Sequence, residues 1–314
     1  MRIFITGGAG CLGSNLLEHW LPQGYEIFVI DNFATGKREV VPDVTGLTVV
    51  QGSIADDEKL RKCFEKFRPD VVVHAAAAYK DPDDWVQDTL TNVIGSGNVA
   101  KASHDYGVKR LINLQTALCY GRPLELPVPN THQTAPFTSY GITKTAGEQF
   151  MLLSGVPTLS LRLANVTGPR LAIGPIPTFY KRLKAGQDCF CSDSSRDFLD
   201  MSDFLAFMDL AIEPSAATGI YNLSSGEAHS IREIFDLVCD HLGLGPIDVP
   251  VIPVGDDDVP VVSLDPGETT KAFSWAPLVD FREIIRKQLT WYDEHGVSDV
   301  YSHLKPSSGA SDGR

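Results

Sequence analysis

The sequence predicts a doubly wound α/β fold: a parallel sheet with helices on both faces, and a smaller lobe interleaved with its C-terminal half. Three observations predict it. Strand-like and helix-like stretches alternate through the first half of the chain. The strand-like stretches are near-continuous apolar runs, as expected of strands covered on both faces. The first of them, residues 3–5, breaks at once into glycines and a helical pattern. Such alternation implies right-handed crossovers, and ligands of such sheets sit beyond the C-terminal ends of the strands.

In order, strands are expected at 2–6, 26–30, 47–51, 70–74, 110–114 and 158–163, and helices at 11–21, 56–67, 85–106 and 139–153. Beyond Gly168, prolines and glycines mark a less regular region, with helices expected at 177–185, 202–212, 231–242 and 281–295. Residues 220–223 read as a short strand that rejoins the sheet, and 249–267, rich in Pro and Asp, as loop with edge strands. The expected division is 1–167 plus about 203–225 for the main domain and 168–202 plus about 226–304 for the smaller lobe, with 305–314 a frayed tail.

Composition narrows the classes. A chain of 314 residues, 43% hydrophobic and 21% charged, supports a sizeable core in one or two domains. No apolar run reaches the length of a membrane span, and residues 3–5 are too short for the core of a signal peptide. A cytoplasmic protein is expected. The six cysteines show no C-x-x-C and are expected to be reduced; Cys189 and Cys191 form a C-x-C without a nearby His or Cys partner, so no metal is expected. A net charge of −13 argues against nucleic acid and anionic membrane as partners, and requires any anion site to be locally basic.

The glycines at 7, 10 and 13 form Gly-x-x-Gly-x-x-Gly between the first strand and the first helix. Gly7 lets the chain turn, Gly10 lets the backbone approach a pyrophosphate, and Gly13 lets the helix pack close. The helix start at Cys11 and Leu12 then offers unpaired N–H groups and a positive dipole end to the anion. Asp31 ends the second strand, 18 residues past Gly13. A carboxylate there accepts both hydroxyls of an adenosine ribose and repels a 2′-phosphate, so NAD is expected rather than NADP. Asn32, Thr35 and Gly36 continue this loop; Lys37 either reaches a cofactor phosphate or is a solvated loop lysine. Ser53 and Ile54, after the third strand, lie where an adenine would. After the fourth strand Ala75, Ala76 and Ala77, with Ala78, make a flat floor. His74 reads as a satisfied core histidine, and Asn92 as a polar residue on a packed helix face that contributes to the cofactor site.

Tyr140 and Lys144 stand one helical turn apart. An isolated phenol has a pKa of about 10 and is a poor base at neutral pH, but a neighbouring cation favours the phenolate. The pair reads as a poised general acid/base. Thr116 follows the fifth strand, 24 residues before Tyr140, where its hydroxyl could share a substrate oxygen with the phenol.

On these motifs the chain resembles the extended short-chain dehydrogenase/reductase family, of Rossmann type, and within it the UDP-galactose 4-epimerase-like bacterial sugar-nucleotide epimerases. The motifs are TGGAGCLGS (6–14), DNFATG (31–36), HAAA (74–77), NVIGSGNV (92–99), QTALCYG (115–121), YGITK (140–144), LRLANVTGPR (161–170), RDF (196–198) and YNLSSG (221–226). The resemblance implies tightly bound NAD and a UDP-sugar in the smaller lobe, epimerised at C4 by transient oxidation to a keto sugar. Tyr140 would take the hydroxyl proton, Lys144 would bind the nicotinamide ribose, and Thr116 would bridge substrate and Tyr140. Leu163 would contact the nicotinamide amide through its backbone. Asn165 and Arg196 would bind the sugar diphosphate, with Arg170, Lys181 and Arg182 as further basic candidates. A homodimer through the helices at 85–106 and 139–153, and a place in polysaccharide biosynthesis, are also implied.

Departures from the family pattern refine this. Ala117 and Leu118 stand where dehydratases and decarboxylases of the family carry acids, which argues against those reactions. Cys119 falls three residues after Thr116, so on a strand it would face away. Ser53 replaces an Asp at the adenine contact. At 253–258, PVGDDD, the family's second diphosphate arginine is missing and three acids follow. The alternatives kept are a related reductase or an epimerase acting at another carbon, and below these a non-catalytic NAD-binding regulator.

Overall fold

The computed structural model describes residues 1–256, 258–298 and 300. The seven strands of its main sheet are all parallel. They are β1 (Arg2–Thr6), β2 (Glu26–Asp31), β3 (Leu47–Gln51), β4 (Val71–His74), β5 (Arg110–Thr116) and β6 (Thr158–Leu163), joined by a late strand, Gly219–Leu223. The order across the sheet is β3-β2-β1-β4-β5-β6 and then the late strand on the β6 edge. The sequence's doubly wound reading is borne out, including the return of residues 220–223 to the sheet.

Strand alternation puts the core on both faces. In β1, Ile3 and Ile5 point to one side and Phe4 to the other. On the first side, helix α1 (Cys11–Trp20) contributes Leu16, Leu17 and Trp20. On the second, Phe4 meets Phe28 of β2 and Phe64 of helix α2 (Asp57–Phe67), all three rings fully or nearly fully buried. The crossover expected as one helix at 85–106 is three segments: α3 (Trp85–Asp88), a π-helical stretch Thr89–Gly95, and α4 (Ser96–Asp105). Such widened turns recur at functional sites, and this one carries Asn92. Helix α5 (Ser139–Leu153) begins at Thr138, whose hydroxyl accepts from the Gly141 N–H at 3.1 Å.

After β6 the chain leaves the sheet through β7 (Asn165–Thr167) and α6 (Pro175–Lys184), then β8 (Cys191–Ser192) and β9 (Ser195–Asp200). Helix α7 (Met201–Ala211) returns it to the main sheet, where β10 (Gly219–Leu223) is the late strand already described. It departs again through β11 (Ala228–Ser230) and α8 (Ile231–His241), and ends in β12 (Val251–Ile252), β13 (Val261–Val262), α9 (Gly267–Phe273) and α10 (Phe281–His295). Ser230 and Asp280 each cap a helix by accepting the N–H of a Glu three residues on. A separate core joins α6, α8 and α10 through Phe179, Phe235, Ile284 and Tyr292. Helix α9, and strands β7, β8, β9 and β11, were not expected from sequence. The edge strands expected within 249–267 are β12 and β13, while Asp257 and the tail 305–314 lie outside the described residues.

All six cysteines are free. Among the described residues no helix is long and apolar enough to cross a membrane.

Candidate active site

A cleft of about 620 Å³ opens along the C-terminal ends of β1, β2, β4, β5 and β6. At one end is the glycine loop. Gly7 has φ +71°, and a Cβ on it would lie 2.7 Å from the Ala76 backbone, so a side chain is excluded on two counts. Gly10 lines the cleft and starts α1 without a side-chain cap, leaving the helix end open toward the cavity with Cys11 and Leu12 beside it. At Gly13 helix α1 packs close against the backbone that follows β1: a Cβ there would strike the Gly7 carbonyl at 2.4 Å and Gly8 Cα at 2.6 Å. It keeps the loop folded onto its helix.

Asp31 is nearly buried at the end of β2. One carboxylate oxygen accepts from Ala9 N–H and the other from Phe33 N–H, both at 2.8 Å. A carboxylate has about four lone-pair sites, so acceptor capacity is left for a ligand on the cleft side. Asn32, Thr35 and Gly36 line the cleft; Lys37 does not, and its ammonium donates to Ser298 at 2.7 Å. At the adenine end, Ser53 and Ile54 line the wall, with the Ser53 hydroxyl engaged by Ala55 N–H at 3.1 Å. The floor is Ala75, Ala76, Ala77 and Ala78. Asn92 stands behind this floor rather than in the cleft. Its amide oxygen accepts from Ala78 N–H, and its amide nitrogen donates to Ala78 O, each at 2.9 Å, and to Thr143 at 3.1 Å. It holds the floor and α5 together. His74 is fully buried between Thr6 and Ser96, each at 2.9 Å, and burial drives its imidazole toward the neutral form.

The other end carries Tyr140 and Lys144 of α5, with Leu114, Gln115 and Leu163. The Lys144 ammonium is 4% exposed and donates to Leu114 O at 2.7 Å. Burial pushes its pKa from 10.5 down to about 8, with the Glu148 carboxylate one turn on opposing that fall. Glu148 is itself buried against Arg162 at 2.7 Å and the Ser160 hydroxyl at 2.7 Å. The Tyr79 ring lies 5.7 Å from the Tyr140 ring. Ser139, just before Tyr140, donates to the buried Asp88 carboxylate at 2.6 Å.

The remaining expected residues fall outside the cleft's lining. Thr116 ends β5, and its hydroxyl accepts from Leu118 N–H at 3.2 Å, starting a 3₁₀ turn over Ala117–Tyr120. Cys119 is therefore on a turn and not on a strand, which removes the reason given for its facing away; what sets it apart is complete burial, which pushes its thiol up to about 12. Asn165 is exposed and donates to Asp197 O at 2.9 Å. Arg196 is engaged by the chain itself, donating to Asp258 at 2.5 Å and to Val259 O at 2.9 Å. Asp258, read in sequence as one of three unmatched acids, thus has a cation. Arg170 turns away to Glu18, with both contacts at 2.8 Å.

Sequence reasoning missed the stretch from Tyr79 to Thr91, of which Tyr79, Lys80, Asp81, Pro82, Asp84, Gln87, Asp88 and Thr91 line the cleft. No motif marks it. Its position directly after β4 was the available signal.

A glycine cradle closed to a Cβ at Gly7 and Gly13, an open helix start, a carboxylate at the end of β2 and a methyl-lined floor together fit an extended dinucleotide. Comparison with known proteins agrees. The model of the NAD dependent epimerase/dehydratase family matches residues 3–224. The enzyme WbmG of Bordetella bronchiseptica, solved in complex with NAD, is 65% identical, with 97% of this chain and 98% of that chain covered and a TM-score of 0.92; it has also been solved with NAD and UDP. The UDP-glucose 4-epimerase of Thermotoga maritima, solved with UDP-glucose, is 27% identical, with 94% and 99% covered and a TM-score of 0.87. The UDP-glucose 4-epimerase of Halalkalibacterium halodurans is 28% identical over 94% of this chain and 96% of its own.

Proposed function

The chain belongs to the NAD dependent epimerase/dehydratase family and takes NAD as its cofactor, and on that premise we propose that it inverts C4 of a UDP-linked sugar. The observation that carries the reading is the placing of Tyr140 and Lys144 in one cleft with the uncapped helix start of the glycine loop. NAD, when bound, supplies a hydride acceptor at the sugar carbon and a hydride donor for its return. The glycine loop and the start of α1 would hold the pyrophosphate, Asp31 the adenosine ribose, and Ala75 to Ala78 the flat underside.

Tyr140 would take the proton from the C4 hydroxyl as that carbon is oxidised, and give it back to the oxygen when the carbon is reduced on its other face. No net proton or electron is left over. Lys144, fixed by Leu114 O, would bind the nicotinamide ribose and hold positive charge beside the phenol. Thr116 would help position the substrate oxygen after rearrangement of its present contact with Leu118. Asn165 and Arg196 would serve the diphosphate in the smaller lobe. Ala117 and Leu118 bring no proton donor to the site, which favours epimerisation over elimination or decarboxylation. Apolar side chains exposed on α3, the π stretch and α5, including Trp85, Val86, Ile94, Phe150 and Leu153, support pairing of two copies through these helices.

Incubating the purified protein with a panel of UDP-sugars and reading epimer ratios by NMR tests the reaction. Interconversion of a C4 pair is expected, and Tyr140→Phe is expected to slow it by at least about a hundredfold while UDP binding persists. Inversion at another carbon, net reduction, or undiminished turnover in Tyr140→Phe would overturn the reading.

A further inference from the structure

Beyond the four alanines of the floor stands Tyr79. Alanines offer only methyl groups, so Tyr79 is the first side chain after β4 with any reach into the cleft. Its ring lies 5.7 Å from the Tyr140 ring, inclined at 54°. Lys80 and Asp84 line the cleft just after it, and Gln87 and Asp88 do so from α3.

We propose that Tyr79 contacts the substrate, its ring forming the wall against which the sugar lies while Tyr140 exchanges the proton, a role that presupposes the epimerase reading above. A sugar whose hydroxyl meets the Tyr140 oxygen lies within a few ångströms of that ring, and Tyr79 is its aromatic neighbour on the cleft surface. Inversion also demands that one pocket receive the sugar in two presentations. Directional hydrogen bonds to the sugar hydroxyls would favour one of them. Dispersion against a flat ring has no such preference and grips either face. The polar groups at Lys80, Asp84 and Gln87 then border the wall instead of replacing it.

Calorimetric titration of the NAD-loaded protein tests this, with UDP, UDP-glucose, UDP-galactose and the two N-acetylhexosamine counterparts as probes. Tyr79→Ala is expected to weaken the tightest UDP-sugar about tenfold and to leave UDP within about twofold. Tyr79→Phe keeps the ring and is expected to bind both ligands within about twofold of the parent. Tyr79→Leu, a second variant that keeps apolar bulk without the flat face, is expected to lose sugar affinity selectively too. Retention of NAD through gel filtration checks that each variant is folded. Unchanged sugar affinity in Tyr79→Ala and Tyr79→Leu, or an equal loss for UDP and UDP-sugar, overturns the role of Tyr79 and leaves the epimerase reading standing. If the parent binds UDP but none of the UDP-sugars, the wall falls; the epimerase reading is overturned separately, by the absence of C4 interconversion in the NMR assay.

Discussion

Lys144 carries a cost that pH exposes. Its ammonium is buried, and burial lowers its pKa from 10.5 to about 8. Between those values the unfolded chain binds more protons than the folded one, so stability rises with pH through that window; below about pH 8 the full cost is present. Lys144→Met cannot ionise. In cofactor-free protein it is expected to melt a few degrees above the parent at pH 7, with the gap closing toward pH 10, as followed by thermal denaturation at stepped pH. A gap independent of pH would show that Lys144 binds its proton equally in the folded and unfolded chain, and that its burial carries no such cost. Tyr140, Lys144 and Asp31 were legible in sequence because their geometry is local: one helical turn, or the end of a strand. The pairing of Arg196 with Asp258 was not, because the partners are 62 residues apart and meet only when the loop before β13 folds over β9. Tyr79 was hidden for another reason: its significance lies in a neighbour, Tyr140, that reaches it across the sheet's end.

The π stretch between α3 and α4 shows what an element contributes beyond its boundaries. It presents Asn92 to the floor of the cleft and packs its backbone against α5 at Gly147. A Cβ on Gly147 would meet the Asn92 carbonyl at 2.4 Å and the Ser96 hydroxyl at 2.8 Å. Backbone cannot yield as a side-chain tip can. Gly147→Ala is therefore expected to cost about 2 kcal/mol or more and to weaken NAD binding together with stability, measured by thermal melting and cofactor titration. Normal stability with normal NAD affinity would mean the two helices can part without cost. Apolar periodicity announced a long helix here and gave no sign of the wider turns, since a local change of pitch over two turns barely shifts the pattern. Strands β7, β8 and β11 escaped for a like reason: two or three residues make no period.

At the scale of the whole molecule, exposed apolar side chains are concentrated on one pair of helices. Val86 is 70% exposed and Leu153 80%. If two copies pair there, sedimentation velocity will show a dimer, and Val86→Glu with Leu153→Glu will give a monomer that still retains NAD. A parent that sediments as a monomer would reject this face as an interface. The parallel, doubly wound character of the sheet was legible because parallel strands must be linked by crossovers, and crossovers leave long helical patterns. The smaller lobe was less so: its strands pair with segments far away in sequence. In the main sheet the most consequential distant pairing is β10 on the edge of β6. During synthesis, β6 must wait with an unsatisfied edge until residue 223 has cleared the ribosome, with α6, β9 and α7 emerging in the meantime. A nascent chain stalled before that point presents a ready docking rail to any passing extended peptide, and it is there that a chaperone would matter most.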